Sequence, residues 1–257
     1  MADNPIDPWD TWAGLRRLTA ARIGLARSGA SLATAPLLEF KLAHARARDA
    51  VHEPLDQARL VADLESLGVP VRAAASAADD RQTYLMRPDL GRGLAPDAAT
   101  VLAVDAGKYD VAIVIADGLS ARAVQLHARP VLAELLPMLR TQGLRVAPLV
   151  VVRHGRVAIG DTIATLLGAD CATVLIGERP GLTAPDSMGA YLTWQPGPQT
   201  TDAARNCVSN IRPDGIGYAE AAAKLAYLLG AIRGRRLSGV QLKDEQDALL
   251  SSSPART

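Results

Sequence analysis

The chain has 257 residues, of which 49% are apolar and 21% charged, an ordinary composition for a soluble globular protein. Its formal net charge is +1, so no overall field recruits nucleic acid or an anionic membrane, and we expect neither as a partner. No apolar run approaches the roughly 20 residues that span a bilayer, and the N-terminus lacks the basic-then-apolar order of a signal peptide, which predicts a cytoplasmic protein.

The first half of the chain is predicted to be helical. Residues 35–51 repeat apolar side chains at helical spacing, and residues 57–69 do so until Gly68 ends the pattern. No segment in this half alternates like a strand. Residues 83–98 are rich in Pro, Gly and Asp, so we place a domain boundary near residue 100.

The second half alternates between strand and helix patterns. Residues 111–116, 147–152 and 172–176 are continuous apolar runs of strand length, and 191–196 predicts a further strand. Such buried strands, alternating with helices, predict an α/β protein with an open, mostly parallel sheet.

Helical patterns lie between and after these strands. Residues 119–143 predict a helix interrupted at Pro130 and Pro137. The next helix is predicted to begin with Asp161 as its N-cap and to end at Gly168. A closing amphipathic helix is expected over 217–236.

Three loops follow the predicted strands, at residues 117–120, 153–157 and 177–181. In an open α/β sheet, ligands bind beyond the carboxyl ends of the strands, so these loops are expected to line one rim. Two plainer interpretations remain open. Asp117 or Ser120 caps a helix, and Glu178 with Arg179 forms a surface ion pair.

The common catalytic and metal-binding signatures are absent. No GxGxxG, GxSxG or HExxH pattern occurs, and Gly24 to Gly29 has the spacing of a phosphate loop without its lysine. Cys171 and Cys207 show no CxxC spacing, so neither a structural zinc site nor a redox pair is indicated. We therefore predict no catalytic residue and no metal ligand on this chain.

Residues 202–213 form a polar segment with too few apolar residues for a strand. It is expected either to tie down a loop or to contact a polar ligand. In the alternative interpretation, Asp202, Asn206 and Asn210 satisfy their own turns. Cys207 is either a buried inert thiol or a soft contact for a flat ligand.

Seven sequence blocks, taken in order, resemble one enzyme family. The pattern is similar to the small subunit (light chain) of ethanolamine ammonia-lyase from about residue 14 to about residue 243, and the order of all seven blocks makes the resemblance specific. The blocks are TAARIGLARSG, RPDLGRGL, ADGLSA, VRHGRV, GDTIATLLGAD, IGERPGL and RNCVSNIRP.

The resemblance implies that the chain is one partner of an adenosylcobalamin-dependent lyase. In that family a large TIM-barrel subunit holds the substrate, the assembly is an α6β6 dodecamer, and ethanolamine is converted to acetaldehyde and ammonia by radical chemistry. The small subunit closes the cobalamin site between the two chains and supplies no substrate-binding residue.

Three residues match the family's cobalamin contacts on this chain: Val157, Glu178 and Cys207. A corrin ring is apolar and is fringed by amide side chains. The carboxylate of Glu178 is suited to accept hydrogen bonds from amides, whereas Val157 and Cys207 are suited to pack against an apolar surface. The resemblance thus implies cofactor-binding residues without catalytic ones.

The sequence patterns and the family resemblance together predict an architecture of three parts. It comprises a helical N-terminal region (1–100), a Rossmann-like domain that contacts cobalamin (101–245) and a disordered tail (246–257). Family members sorted into protein-shelled microcompartments carry an N-terminal extension. Here only MADNPIDPWDTWA precedes the first matching block, so encapsulation is not indicated.

Two rival hypotheses remain open at this point. The first is a free-standing nucleotide-binding enzyme that uses Asp117, Glu178 and Asp202 around a phosphate-containing substrate. The second is a non-catalytic scaffold that only assembles the large subunits.

Overall fold

The computed structural model of the chain describes residues 12–243, so the tail predicted at 246–257 lies outside the described residues. The strands are β1 (Arg27–Ser28), β2 (Ser31–Leu32), β3 (Val71–Ala75), β4 (Tyr109–Ala116), β5 (Leu149–Arg153), β6 (Ala169–Gly177), β7 (Met188–Trp194) and β8 (Arg205–Ile211). The α-helices are α1 (Ala13–Arg16), α2 (Thr34–His52), α3 (Gln57–Glu65), α4 (Arg81–Met86), α5 (Pro96–Ala103), α6 (Ala121–Thr141), α7 (Ile159–Leu167) and α8 (Tyr218–Arg235).

Six strands form one open sheet in the order β3-β5-β4-β6-β7-β8, and β1 and β2 form a separate hairpin. The pairs β3·β5, β5·β4 and β4·β6 are parallel, whereas β7 runs antiparallel to both of its neighbours. The prediction of an α/β protein with a mostly parallel open sheet is therefore confirmed.

Helices cover the sheet on both faces, which explains the continuous apolar runs of its central strands. On one face, α3, α6 and α8 bury their leucines against the sheet. On the other face, α5 and α7 pack against a second cluster that includes Val114, Val152 and Val174. Because β4 is buried from Asp110 to Ala116, its sequence shows no alternation. Among residues 12–243, no helix combines the length and apolarity needed to cross a membrane.

The helix α6 is continuous, and the prediction of interruptions at Pro130 and Pro137 is wrong. A proline within a helix leaves the carbonyl four residues earlier without its bond. Those carbonyls belong to Leu126 and Ala133, both of which are exposed. The freed groups therefore lie on the solvent side, while ten buried residues on the opposite face hold the helix against the core.

Two strands of the sheet contradict the sequence predictions. β3 lies in the half of the chain expected to contain no strand, and it pairs with β5. β8 falls within the polar segment 202–213, which was expected to lack a strand, and it pairs with β7. Both are edge strands, so pairing on one side suffices. The boundary near residue 100 stays a prediction, although β3 and β5 pair across it.

Residues 12–52, here called the N-terminal arm, contribute few buried side chains to the core. The helix predicted at 35–51 is confirmed as α2, yet Ala50 is its only buried residue. Arg81 fixes the end of this helix, because its Nε donates to the carbonyl oxygen of Val51 at 2.7 Å. Most of α2 is therefore exposed to solvent.

An ion pair between Asp161 and Arg205 joins α7 to β8. The two guanidinium nitrogens donate to the two carboxylate oxygens at 2.7 Å each, and both side chains are buried. The prediction that Asp161 caps α7 is wrong, since the N-cap is Ala158. The predicted end at Gly168 is confirmed, with a left-handed φ of 71°.

Replacing Asp161 with Asn should lower the free energy of unfolding by about 3–5 kcal/mol, because it leaves the buried Arg205 charge without its partner. Urea denaturation followed by circular dichroism measures this loss. Asp202→Asn is the matched control, since the Asp202 side chain contacts the same arginine but is 91% exposed. Equal stability of the two variants would contradict this role of the ion pair.

Candidate functional site

A cavity of about 480 Å³ opens at the carboxyl ends of β4 and β6. The helix that follows β4, α6, packs on one face of the sheet, whereas the helix that precedes β6, α7, packs on the other face. Open α/β sheets bind ligands at such a point, beyond the carboxyl ends of two neighbouring strands whose connections lie on opposite faces. The cavity is lined by Tyr84, Gly118, Leu119, Arg156, Val157, Ile176, Gly177, Glu178, Arg179 and Tyr191. It thus draws on all three loops expected to form one rim.

The loops after β4 and β6 pack backbone against backbone. Leu119 donates its N–H to the carbonyl oxygen of Gly177 at 3.0 Å. A Cβ on Gly118 would lie 2.3 Å from that same oxygen, and a Cβ on Gly177 would lie 2.0 Å from the carbonyl oxygen of Ser120. Gly118 also has a φ of +54°, which other residues rarely adopt. Only glycine at both positions permits this close approach.

Glu178 stands on the rim with its carboxylate fixed. The hydroxyl of Ser187 donates to Oε2, and the backbone N–H of Asn210 donates to the same oxygen at 3.3 Å. The side chain lies over Gly189, where a Cβ would come within 2.9 Å of Oε1. Within residues 12–243, no ion pair joins Glu178 to Arg179, so the surface ion-pair interpretation is wrong.

The apolar part of the cavity comes from Val157, Ile176 and Tyr191, which belong to or pack against the core cluster under α7. Tyr191 pairs directly with Cys207 across β7 and β8, so the two side chains lie on the same face of the sheet. Burial and the neighbouring Cys207 raise the pKa of the Tyr191 phenol to about 12. The phenol is therefore neutral in the physiological pH range.

The structure brings together two of the three predicted cofactor contacts and places the third beside them. Val157 and Glu178 both line the cavity. Cys207 is exposed, lies next to Tyr191 of the cavity wall, and has its sulfur 3.2 Å from the hydroxyl of Ser209. The expectation of a buried Cys207 is thus wrong. An exposed thiol on this face is available to a ligand that extends beyond the cavity.

The floor of the cavity is built from Tyr84 and Arg156, and Arg81 also packs against the Tyr84 ring. The guanidinium carbons of Arg156 and Arg81 lie 4.3 and 4.9 Å from the centre of the Tyr84 ring. Burial raises the pKa of Tyr84 to about 12, and its hydroxyl donates to the carbonyl oxygen of Gly155 at 3.3 Å. The ring is fully buried, so it closes the cavity from below.

The side chains of Asp117 and Ser120 do not cap the helix that follows them. Asp117 is buried, accepts a hydrogen bond from the N–H of Gly155 at 3.1 Å, and lies 3.5 Å from Arg81. Burial raises the pKa of its carboxyl group. Ser120 is the N-cap of α6, but its hydroxyl donates to Pro185. The capping interpretation is therefore wrong, and both side chains tie neighbouring loops together.

The carboxylates of the nucleotide-binding hypothesis do not converge on one ligand. Glu178 lines the cavity, Asp117 faces Gly155 and Arg81, and Asp202 pairs with Arg205 at the start of β8. Within residues 12–243, no group of three or more His, Cys, Asp or Glu side chains is arranged to hold a metal ion.

Sequence reasoning missed the two tyrosines of the cavity. Tyr84 lies in a segment identified only as rich in Pro, Gly and Asp, and Tyr191 was assigned to a strand without a role. Tyr84 stands three residues before the RPDLGRGL block, and this proximity is the only signal that the sequence offers. Nothing in the spacing predicts that the ring reaches the end of β4.

The fold and the cavity together define an α/β protein with an open cavity at the carboxyl ends of its parallel strands. The ethanolamine ammonia-lyase light chain family model matches residues 9–243. Because this match spans most of the sequence, the chain belongs to the ethanolamine ammonia-lyase light chain family.

Similar proteins are named ethanolamine ammonia-lyase small subunit. The relative from Azotobacter vinelandii is 54% identical over 251 residues, which cover 96% of this chain and 93% of that protein. The relative from Xanthomonas campestris pv. campestris strain B100 is also 54% identical, with coverages of 96% and 92%. The relative from Rhodopseudomonas palustris strain BisA53 is 52% identical over 242 residues, which cover 94% and 92%.

The two cysteines should differ sharply in reactivity. Burial raises the pKa of Cys171 to about 12, so its reactive thiolate is scarce, whereas Cys207 is exposed. Titration with a disulfide reagent at pH 8 should therefore count one fast thiol in the native chain and two in denaturant. Cys207→Ser should remove the fast reaction. Two fast thiols in the native protein, or none, would contradict the placement of Cys207.

Proposed function

We propose that this chain is the small subunit of an adenosylcobalamin-dependent ethanolamine ammonia-lyase and that it forms one wall of the cobalamin site. The rest of the site belongs to a TIM-barrel large subunit in an α6β6 assembly, which converts ethanolamine to acetaldehyde and ammonia in the cytoplasm. When bound, the cofactor supplies the radical chemistry. The observation that carries the proposal is the open cavity that brings Val157 and Glu178 together.

The side chains around the cavity suit the chemistry of a corrinoid. Val157, Ile176 and Tyr191 offer apolar surface to a largely apolar macrocycle. Glu178 has a carboxylate for amide N–H groups. A mixture of this kind matches a ligand that needs packing and hydrogen bonds together.

The size of the cavity supports a site shared with another polypeptide. Cavities of roughly 300–1,000 Å³ enclose drug-sized ligands, and this one measures about 480 Å³. An intact corrinoid is much larger, so most of it extends beyond the cavity. A second surface is then required to exclude water from the remainder of the cofactor.

On this chain, the residues beneath the cavity hold its shape rather than carry out chemistry. Arg81 donates to the carbonyl oxygen of Gly118 at 2.8 Å and pairs with the buried Asp117. Tyr84 stays neutral under these charges because burial raises its pKa. The floor is therefore a fixed, water-excluding surface on which a cofactor is oriented.

The N-terminal arm provides a second surface for the large subunit. Trp12, Leu15, Leu18, Leu38, Phe40 and Leu42 are all exposed large apolar residues of the arm. The acidic residues of the arm are Glu39 and Asp49, against seven basic ones. Those seven are Arg16, Arg17, Arg22, Arg27, Lys41, Arg46 and Arg48. This combination fits an acidic partner surface with apolar patches.

The end of α2 in the arm lies near the cavity wall. The same arginine, Arg81, bonds to Val51 at the end of α2 and to Gly118 in the cavity wall. A large subunit that covers the cavity is therefore well placed to contact the arm as well. The arm and the cavity together favour an extensive interface with the large subunit, of about 2,000 Å² or more, as in permanent complexes.

Glu178→Ala should weaken cobalamin binding by the two-subunit complex by about 1–3 kcal/mol, or roughly 5- to 150-fold, because an amide of the ligand loses its acceptor. Equilibrium binding of an unreactive cobalamin, followed by its visible absorption, measures the effect. Glu134→Ala in α6 is the control, since Glu134 is exposed and does not line the cavity. Unchanged affinity in Glu178→Ala would favour the scaffold hypothesis.

Replacing both Leu38 and Leu42 with Asp should weaken association with the large subunit at least about tenfold. The two carboxylates would have to lose their hydration against an apolar surface of the partner. Sedimentation or surface binding with purified large subunit measures the change. Val104→Asp is the matched control: Val104 is 84% exposed but precedes β4, at the opposite end of the sheet from the cavity. If the arm variant and the control bind equally well, the arm is not part of the interface.

A further inference from the structure

Arg156 is held at the cavity by neutral groups. Its backbone N–H donates to the carbonyl oxygen of Gly91 at 2.8 Å, and its Nη2 donates to the carbonyl oxygen of Tyr84 at 3.1 Å. The guanidinium also lies 4.3 Å from the centre of the Tyr84 ring. These contacts fix the side chain without neutralising its charge.

The charge of Arg156 has no counterpart in the described part of the chain. Other buried or half-buried arginines have carboxylates beside them, as in Arg72–Asp105, Arg81–Asp117 and Arg205–Asp161. Within residues 12–243, no carboxylate lies at ion-pair distance from Arg156, and its buried Nε has no hydrogen-bond partner. A fixed guanidinium without an ion-pair partner is available to bind an anionic group of a ligand.

The balance of charge around the cavity favours an anionic ligand group. Arg179 also lines the cavity and is exposed, so two guanidinium groups face one carboxylate. That carboxylate, Glu178, is already engaged by Ser187 and Asn210. Planar guanidinium groups bind phosphate with well-defined geometry and charge-assisted hydrogen bonds.

We infer that Arg156, assisted by Arg179, binds the phosphodiester in the nucleotide tail of the corrinoid. The amides around a corrin ring are neutral, and the phosphodiester is the anionic group of the intact cofactor. The cavity volume of about 480 Å³ suits a group of nucleotide size but not the whole corrinoid. The phosphodiester therefore binds on the Arg156 side of the cavity, and the remainder of the cofactor extends toward Cys207 and the large subunit. The inference rests on the proposed function.

The test compares two unreactive corrinoids on the reconstituted two-subunit complex. Cyanocobalamin carries the phosphodiester, whereas dicyanocobinamide lacks the nucleotide tail. Arg156→Gln should weaken cyanocobalamin binding about ten- to hundredfold and leave dicyanocobinamide binding unchanged, measured by equilibrium dialysis and corrinoid absorption. Arg156→Lys, which keeps the charge, should recover part of the loss.

Two controls separate a lost contact from a damaged fold. Arg140→Gln removes an exposed arginine at the end of α6, far from the cavity, and should affect neither corrinoid. Circular dichroism and the melting temperature show whether Arg156→Gln still folds. If that variant is destabilised, Arg156→Lys carries the test: unequal effects on the two corrinoids support the inference, and equal effects overturn it.

The remaining outcomes distinguish the two proposals. If the wild-type complex binds neither corrinoid, the proposed function fails and the inference fails with it. If the complex binds both and Arg156→Gln weakens both equally, or neither, only the inference is overturned. If inorganic phosphate or a free nucleotide raises the melting temperature of the isolated wild-type chain but not of Arg156→Gln, without selectivity between corrinoids, the site belongs to a free phosphate ligand and the inference is also overturned.

Discussion

The close packing of two loops, after β4 and after β6, determines where the residues of the candidate site lie. Gly118 and Gly177 bring the two backbones so near that no side chain fits between them. As a consequence, Glu178 emerges on the rim and Leu119 on the wall of one cavity. The sheet holds both loops rigidly, since β4 and β6 pair along seven registered positions. A site built in this way is preorganised, yet it remains open on the side away from the sheet.

The central fold was predictable from sequence because its strands are buried on both faces. β4, β5 and β6 appear as unbroken apolar runs for that reason. The edge strands β3 and β8 were not predictable in the same way. The sequence of β3 is VRAAA, with little side-chain signal, and β8 buries only Arg205, Val208 and Ile211 among polar neighbours. Their pairing depends on hydrogen bonds from a neighbouring strand, which no local pattern reports.

The candidate site was predictable to the level of its loops, because the rule for ligand sites in α/β sheets depends only on strand order. The positions of individual side chains, by contrast, could be established only from the structure. Asp117 has the chemistry of a ligand contact, but it turns inward to Gly155 and Arg81. Tyr84 lies between β3 and β4 in a segment with no strand pattern, yet its ring packs against Arg156 at the cavity. The roles of Val157, Glu178 and Cys207 in binding a cofactor stay predictions that their placement supports.

The proposed function requires that this chain and a second polypeptide enclose a corrinoid jointly. A structure of the complex between this chain and its large subunit, determined with an unreactive cobalamin, tests that claim most directly. We expect cobalamin atoms in contact with Val157, Glu178 and Cys207, with the large subunit covering the opposite side of the cofactor. A cobalamin held entirely within the large subunit, with the cavity of this chain facing solvent, would contradict it.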